Sequence, residues 1–318
     1  MLVDFSILWS EFGSLLLDGI VVGAIYALVS LGYTLVYGVL RLINFAHSEI
    51  FMIGTFACLG VTMTLGFTGF EEPLGIVSFL GVFLLISLVA AVASGSSAML
   101  LEVVAYRRLR RKNANRLSSL ISAIGASFFL VELFRLISDS KDWDFPRLLE
   151  KNSLFQIGTA YFTIDKIVVL VGAIGLMIIL DRIIQKTRLG RGIRAVSQDE
   201  RTAVLMGVNV DRVIGFTFLL GGVLAGVASS FYMLFYEATK FNVGFLLGIS
   251  GFTAAVLGGI GNIRGALAGS FALGIIQQFS SAVLGYNWRD VVTFLILVLV
   301  LLFKPTGLFG EALQRARV

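Results

Sequence analysis

Nine apolar runs divide this chain, and little long enough to fold on its own lies between them. They fall at about 14–39, 50–69, 75–101, 118–138, 164–184, 213–236, 243–260, 265–285 and 289–303. A helix crossing a bilayer needs about 20 apolar residues, and most of these runs reach or approach that length. The longest gaps, 139–163 and 185–212, are too short for a soluble module with its own core. Charged residues make up only 14% of the chain, against about 25% in an ordinary soluble protein. A soluble enzyme, a disordered chain and a nucleic-acid-binding domain are thereby excluded. The expectation is an all-α, polytopic membrane protein of eight to ten transmembrane helices, one membrane domain spanning residues 1–318. One of the two late runs is open to a re-entrant reading, so 243–285 is either two spans or a broken helix.

Lys and Arg collect on cytoplasmic loops, and here they are unevenly spread. Segments 102–117 and 185–212 hold six basic residues each, and the tail 304–318 holds three, so together they carry 15 of the chain's 25. These three go inside. The N-terminus carries Asp4 and Glu11 and no base, and Glu71 and Glu72 have no basic neighbour. Those segments go outside, with 139–163. The N-terminus is then external, the C-terminus cytoplasmic, and the number of crossings odd. Without a basic stretch ahead of the first apolar run, no cleavable signal peptide is indicated.

Two polar stretches interrupt apolar sequence: Arg41-Leu-Ile-Asn-Phe-Ala-His-Ser-Glu49 and Gly258-Gly-Ile-Gly-Asn-Ile-Arg-Gly265. Either they are broken helices at membrane depth, where freed backbone groups line a cavity, or they are tight cytoplasmic turns. Asn44, His47, Glu49, Asn262 and Arg264 are the candidate polar positions of a path or gate. His47 has a simpler reading as a structural hydrogen-bonding group at the interface. Glycines spaced by four (Gly19 and Gly23; Gly222 and Gly226; Gly261, Gly265 and Gly269) mark close helix packing, or surfaces on which helices slide.

Missing chemistry narrows the function. Cys58 and His47 are the only residues of their kinds, so neither a four-cysteine nor a two-histidine metal site is available. No Gly-x-x-x-x-Gly-Lys-Ser/Thr phosphate loop occurs, and no Ser/His/Asp set is plausible. Catalytic residues, metal and cofactor are all expected to be absent. Ionisable groups within the runs are too few for a proton- or sodium-coupled carrier. Glu132 and Arg135, three apart, are placed to pair on one helix face.

A conduit without an energy source needs a surface that receives force. Within 185–212, Ala203, Met206, Gly207 and Val210 recur at helical spacing and predict one apolar face of a short helix over 198–208. Asp199 and Glu200 suit its first turn, and Gly207 its C-terminal stop. The helix either docks a partner or lies on the membrane surface.

Four motifs, in order and over nearly the whole chain, resemble the branched-chain amino acid ABC-importer permeases. They are GIVVGAIYALVSLGYTLVYGVLRLINFAHSEI at 19–50, GRGIRAVSQDERTAVLMGVNVDRVIGFTFLLGGVLAGVAS at 190–229, LGGIGNIRGALAG at 257–269 and RDVVTFLILVLVLLFKPTGLFG at 289–310. The resemblance is to the shorter of the two permeases, within a superfamily that includes ribose-type importers. It implies a second permease, usually in a heterodimer, two cytoplasmic ATPase subunits and an external substrate-binding protein, in a bacterial or archaeal plasma (inner) membrane. ATP hydrolysis falls to the partners, and the cargo to neutral, hydrophobic amino acids. Permeases for urea or short-chain amides in the same superfamily, and a self-sufficient channel, are the alternatives. Two departures stand out. Ser48 occupies a position where the family has glycine, so an ordinary φ or a helix N-cap is expected there. Arg201-Thr202-Ala203 ahead of Gly207 keeps only the Ala and the Gly of the family's Glu-Ala-Ala-glycine loop.

Overall fold

The computed structural model describes residues 6–67, 69, 72–112 and 114–310. Asp4, Glu71 and the charged tail beyond residue 310 lie outside the described residues. In hydrocarbon every backbone N–H and C=O must be satisfied within its own segment, and the apolar runs accordingly become helices. They are α1 (Phe12–Leu40), α2 (His47–Thr64), α3 (Ile76–Leu101), α4 (Arg116–Ile137), α5 (Ile164–Lys186), α8 (Val210–Tyr236), α9 (Val243–Gly258), α10 (Ile263–Leu284) and α11 (Arg289–Phe303). Between α5 and α8 stand two short helices, α6 (Arg188–Gln198) and α7 (Glu200–Leu205). α3 runs on through a π-helical turn, Glu102–Tyr106, into the basic segment Arg107–Arg111.

Among the described residues, seven helices are long and apolar enough to cross a membrane. Two other helices on apolar runs fall outside that set: α2, of 18 residues, opens on the polar His47, Ser48 and Glu49, and α9 has only 16 residues. At 1.5 Å per residue α9 is about 24 Å long, short of the roughly 30 Å hydrocarbon core. Residues 243–285 are two helices packed antiparallel, α10 placing Gly265 and Gly269 against Gly258 and Ala254 of α9.

Contacts sort the connections to two ends. At one end the amide of Gly13, in the first turn of α1, donates to Thr159 at 2.9 Å. There β1 (Trp143–Asp144) pairs antiparallel with β4 (Ala238–Thr239), and β2 (Ser153–Ile157) with β3 (Ala160–Thr163). At the other end Arg41 reaches the last carbonyls of α6. Tyr37, Ile43 and Ile260 share one small cavity there, and the amides of Leu308 and Phe309 donate to the carbonyls of Leu257 and Gly258. Segments 139–163 and 237–242 therefore share one end, and segments 41–46, 187–209 and 259–262 the other.

The small strands depart from a purely helical reading. Hydropathy gave residues 139–163 only as a polar connection. Phe155 and Phe162 stack at 4.6 Å across β2 and β3, and this cross-strand pair gives the hairpin an apolar anchor.

α1 and α8 form the centre of the bundle, and α4 its margin. In the best apolar window, 78% of α1 and 72% of α8 are buried against protein, but only 6% of α4. Glycine creates the tightest seams. A Cβ on Gly23 would stand 2.8 Å from the Cα of Phe271 in α10, and one on Gly274 would stand 2.4 Å from the carbonyl of Gly19. On α8, Gly222 and Gly226 face Ser94, Gly95 and Ala90 of α3 at similar range. Gly261 does something else: its φ is +95° and no backbone lies near it, so it makes the turn between α9 and α10. Cys58 is buried, with its sulfur 3.9 Å from the hydroxyl of Ser229.

Candidate functional site

α1 ends where Arg41 takes a left-handed backbone, φ 51°. The chain then turns back into the bundle instead of crossing its surface. Asn44 and Ala46 are buried, and α2 begins at His47, beside Gly32 of α1. Gly32 lies eight residues before the end of α1, so the His47 imidazole reaches about 12 Å inside that end. A Cβ on Gly32 would stand 2.6 Å from the Cε1 of His47, so the notch needs glycine. Tyr33 closes it with an edge-on contact to the imidazole, 4.8 Å between centroids.

Neighbouring helices anchor the three candidate polar residues of this break. The Tyr106 hydroxyl donates to Asn44 Oδ1 at 2.9 Å, and Ser127 of α4 donates to Glu49 Oε1 at 3.1 Å. Hydrogen-bonding capacity remains, because Asn44 Nδ2, His47 Nε2 and Glu49 Oε2 are buried without a partner among the described residues. Ser48 has ordinary helical backbone, but the N-cap position belongs to Ala46. The Ser48 hydroxyl donates back to the carbonyl of Phe45 at 2.6 Å. Its Cβ fits because Gly248 faces it from α9: a second Cβ there would stand 2.2 Å away.

Ser48 and Ser127 reach an open groove of about 610 Å³, walled also by Tyr33, Asn242, Phe252 and Phe294, and the buried Asn44, His47 and Glu49 lie behind its lining. A second depression of about 340 Å³ shares Ile249 and Phe294 with it. A third, of about 170 Å³, shares Leu246, Ser250 and Asp290 with the second. The three form one furrow along α9 and α11, from Arg289 to the start of α2.

Asn262 and Arg264 lie elsewhere, at the start of α10. Asn262 is the N-cap of α10, its Oδ1 accepting from the amides of Arg264 and Gly265 at 3.0 and 3.1 Å. Its Nδ2 holds the carbonyl of Phe309 at 2.9 Å. Arg264 is exposed. The two polar breaks thus differ: the first dips into the bundle and the second is a turn at its end.

The long loop holds two helices where the spacing predicts one. Asp199 separates them with an extended backbone and caps α7, accepting from the amide of Arg201 at 3.0 Å. The Thr202 hydroxyl donates to its other oxygen, and these bonds hold the carboxyl below the usual Asp range. Gly207, at φ +82°, ends the unit. The expected apolar stripe does not form. Ala203 and Val210 turn inward, while Val204, Leu205 and Met206 stand out together, Leu205 at 86% and Met206 at 80% exposure. A helix of six residues is too short to present a stripe, and the turn at Gly207 redirects the chain. Arg41 Nη2 bonds the carbonyls of Ser197 and Gln198 at 3.1 and 3.0 Å, joining this loop to the first break. Arg110 bridges Glu102 and Asp211, tying the extension of α3 to the start of α8.

Sequence reasoning did not anticipate a polar cluster at the opposite end of the furrow. Arg289 is buried against Gln277, Tyr26 and Tyr236. A signal existed, for an arginine opening an apolar run is costly and points to function. Tyr26, Ser127 and Gln277 lie within spans, and only the packing brings them to their partners. Glu132 and Arg135 do pair, at 2.7 Å, on the exposed face of α4.

Comparison with known proteins gives a consistent set of relatives. The family described as "Branched-chain amino acid transport system / permease component" matches residues 15–301. The high-affinity branched-chain amino acid transport system permease protein BraD of Pseudomonas aeruginosa is 40% identical, over 93% of this chain and 95% of its own. LivH of Escherichia coli, whose name describes the same system, is 40% identical over 92% and 94%. The fructose import permease protein FrcC of Rhizobium meliloti is 31% identical over 39% of this chain and 35% of its own. No solved structure matches.

Proposed function

The chain belongs to the branched-chain amino acid transport permeases, and from that premise we propose that the furrow along α9 and α11 is its half of the transport path. One observation carries the proposal: apolar walls meet the hydroxyl-bearing Ser48 and Ser127, both of which donate to Glu49 of the buried polar break. Aliphatic side chains slide along the former, and a polar head group exchanges water for the latter. α4, on the margin of the groove, leaves most of its apolar surface uncovered by this chain. A second permease completes the conduit on this face, and lipid covers the rest.

The permease lacks an engine of its own. Two cytoplasmic ATPase subunits press on Leu205 and Met206, and the displacement passes through α6 and Arg41 into the break at 41–49. An external binding protein delivers the amino acid to the end that carries the β2–β3 hairpin. The positive-inside bias of the basic loops supports a cytoplasmic location for the other end, with the N-terminus outside in a bacterial or archaeal inner membrane.

Disulfide trapping tests the path. The only native cysteine is buried, so cysteines placed at Phe245 or Phe294 are addressed selectively. Linking them to the second permease should block leucine uptake by the reconstituted complex, with reductant restoring it. Full uptake in the cross-linked complex would remove this face from the path.

A further inference from the structure

At the end of the furrow farthest from the break, Arg289 is buried at 8% exposure. A guanidinium carries five N–H donors and cannot shed its charge. Burying it is costly unless an acid pairs with it. Here Nε donates to Gln277 Oε1 at 3.1 Å, and Nη2 donates to the hydroxyls of Tyr26 at 2.9 Å and Tyr236 at 2.5 Å. The rings of Tyr236 and Tyr286 lie 5.4 and 5.9 Å from its central carbon. All these partners are neutral. They hold the group in place and leave its charge uncompensated, and Nη1 takes no partner among the described residues. Tyr26 and Gln277 also bond each other at 2.7 Å, so the mount is rigid.

This cation lines the cavity of about 170 Å³, together with Lys240, and one acid, Asp290, stands exposed at its rim. The apolar depression formed by Leu246, Ile249, Val291 and Phe294 opens directly beside it. A cation, an anion and an apolar trough in sequence match the three parts of an aliphatic amino acid. We infer that Arg289 receives the substrate's carboxylate in an outer loading site, with Asp290 facing its ammonium group and the trough taking its side chain. The inference rests on the furrow being the path, and it assigns the furrow's external end a preference for zwitterions over uncharged solutes.

The test uses the whole complex in lipid nanodiscs and photo-leucine, which keeps the leucine head group and carries a photoreactive side chain. After irradiation, adducts should map to 246–250 and 286–294. Leucine should erase them, and 4-methylpentanoate, which keeps the carboxylate, should reduce them. Leucinol, which lacks the carboxylate, should compete at least tenfold more weakly than leucine. Arg289→Gln should lower labelling at least tenfold, with partial recovery in Arg289→Lys. Leucinol competing as well as leucine would overturn the inference in the parent protein, whatever the variants do. So would labelling confined to Phe45, Ser48 and Phe252, which would leave the path reading intact. Adducts absent from both α9 and α11 in a complex that still takes up leucine would overturn both.

Discussion

Replacing Arg41 with Gln should disconnect the loop 187–209 from the polar break while leaving the bundle assembled. The guanidinium makes two hydrogen bonds to carbonyls in the last turn of α6, at 3.1 and 3.0 Å. That turn is the negative end of a helix, where a cation contributes about 0.3–1 kcal/mol. Hydrogen bonds to charged groups contribute about 1.5–3 kcal/mol when shielded, and much less when exposed, as Arg41 is. A combined figure of about 1 kcal/mol follows, or about a fivefold fall in the ratio of engaged to disengaged linkage. The left-handed backbone at residue 41 costs the same in both proteins, so it cancels. In proteoliposomes, radiolabelled leucine uptake and phosphate release are measured together. Leucine moved per ATP should drop about fivefold in Arg41→Gln, and less in Arg41→Lys, which keeps the charge but loses the fork. An unchanged ratio in a fully assembled Arg41→Gln complex would refute the linkage and return Arg41 to a local capping role.

Changing both Leu205 and Met206 to Ser should weaken ATPase binding to the permeases by at least about a hundredfold, taking about 1.4 kcal/mol or more for each buried apolar side chain. Pulldown with purified ATPase measures this, and the melting temperature of the permease should not move. Gly226→Val should sharply lower the yield of folded protein by size-exclusion, since a Cβ there would stand 2.3 Å from the carbonyl of Ala90. Gly125→Ala, on the open face of α4 with nothing within 4 Å, should be tolerated. Glu237 gives a pH signature: burial pushes its carboxyl up, but Lys151 and Arg147 outweigh this and hold it below the ordinary value. Its stabilisation is therefore complete above about pH 4.3 and disappears as the pH falls through the lower folded value. Melting curves across that acid range should show the loss in the parent and not in Glu237→Gln.

The sequence disclosed far more of the fold than of the site. Hydropathy located the nine helices of 15 or more residues among the described residues, because a bilayer demands unbroken apolar length and leaves few other solutions. It could not rank the two polar breaks by depth. Both are short, glycine- or asparagine-bearing stretches, and what separates them is a three-dimensional fact: the notch that Gly32 opens for His47. The partners of Asn44 and Glu49 come from Tyr106 and Ser127, dozens of residues away, so no local pattern announces them. In the loop, Gly207 was legible as the stop, and Asp199 as a first-turn acid where the structure makes it the cap. The exposed cluster Val204, Leu205 and Met206 was not, since helical periodicity assumes more turns than α7 possesses. Ser48 is tolerated through Gly248, on another helix, and the sequence around position 48 holds no trace of that compensation.

The glycine seams have a mechanical consequence. Where α1 meets α10 and α3 meets α8, the glycines bring main chain against main chain, with little side chain at those points to absorb a shift. Each couple is therefore a strut that travels as a unit. Whatever rearrangement alternates access must be accommodated by parts with intervening side chains: α4 and α11. Spin labels across a seam should report constant separation throughout the cycle, while labels spanning α4 and α9 should report the stroke.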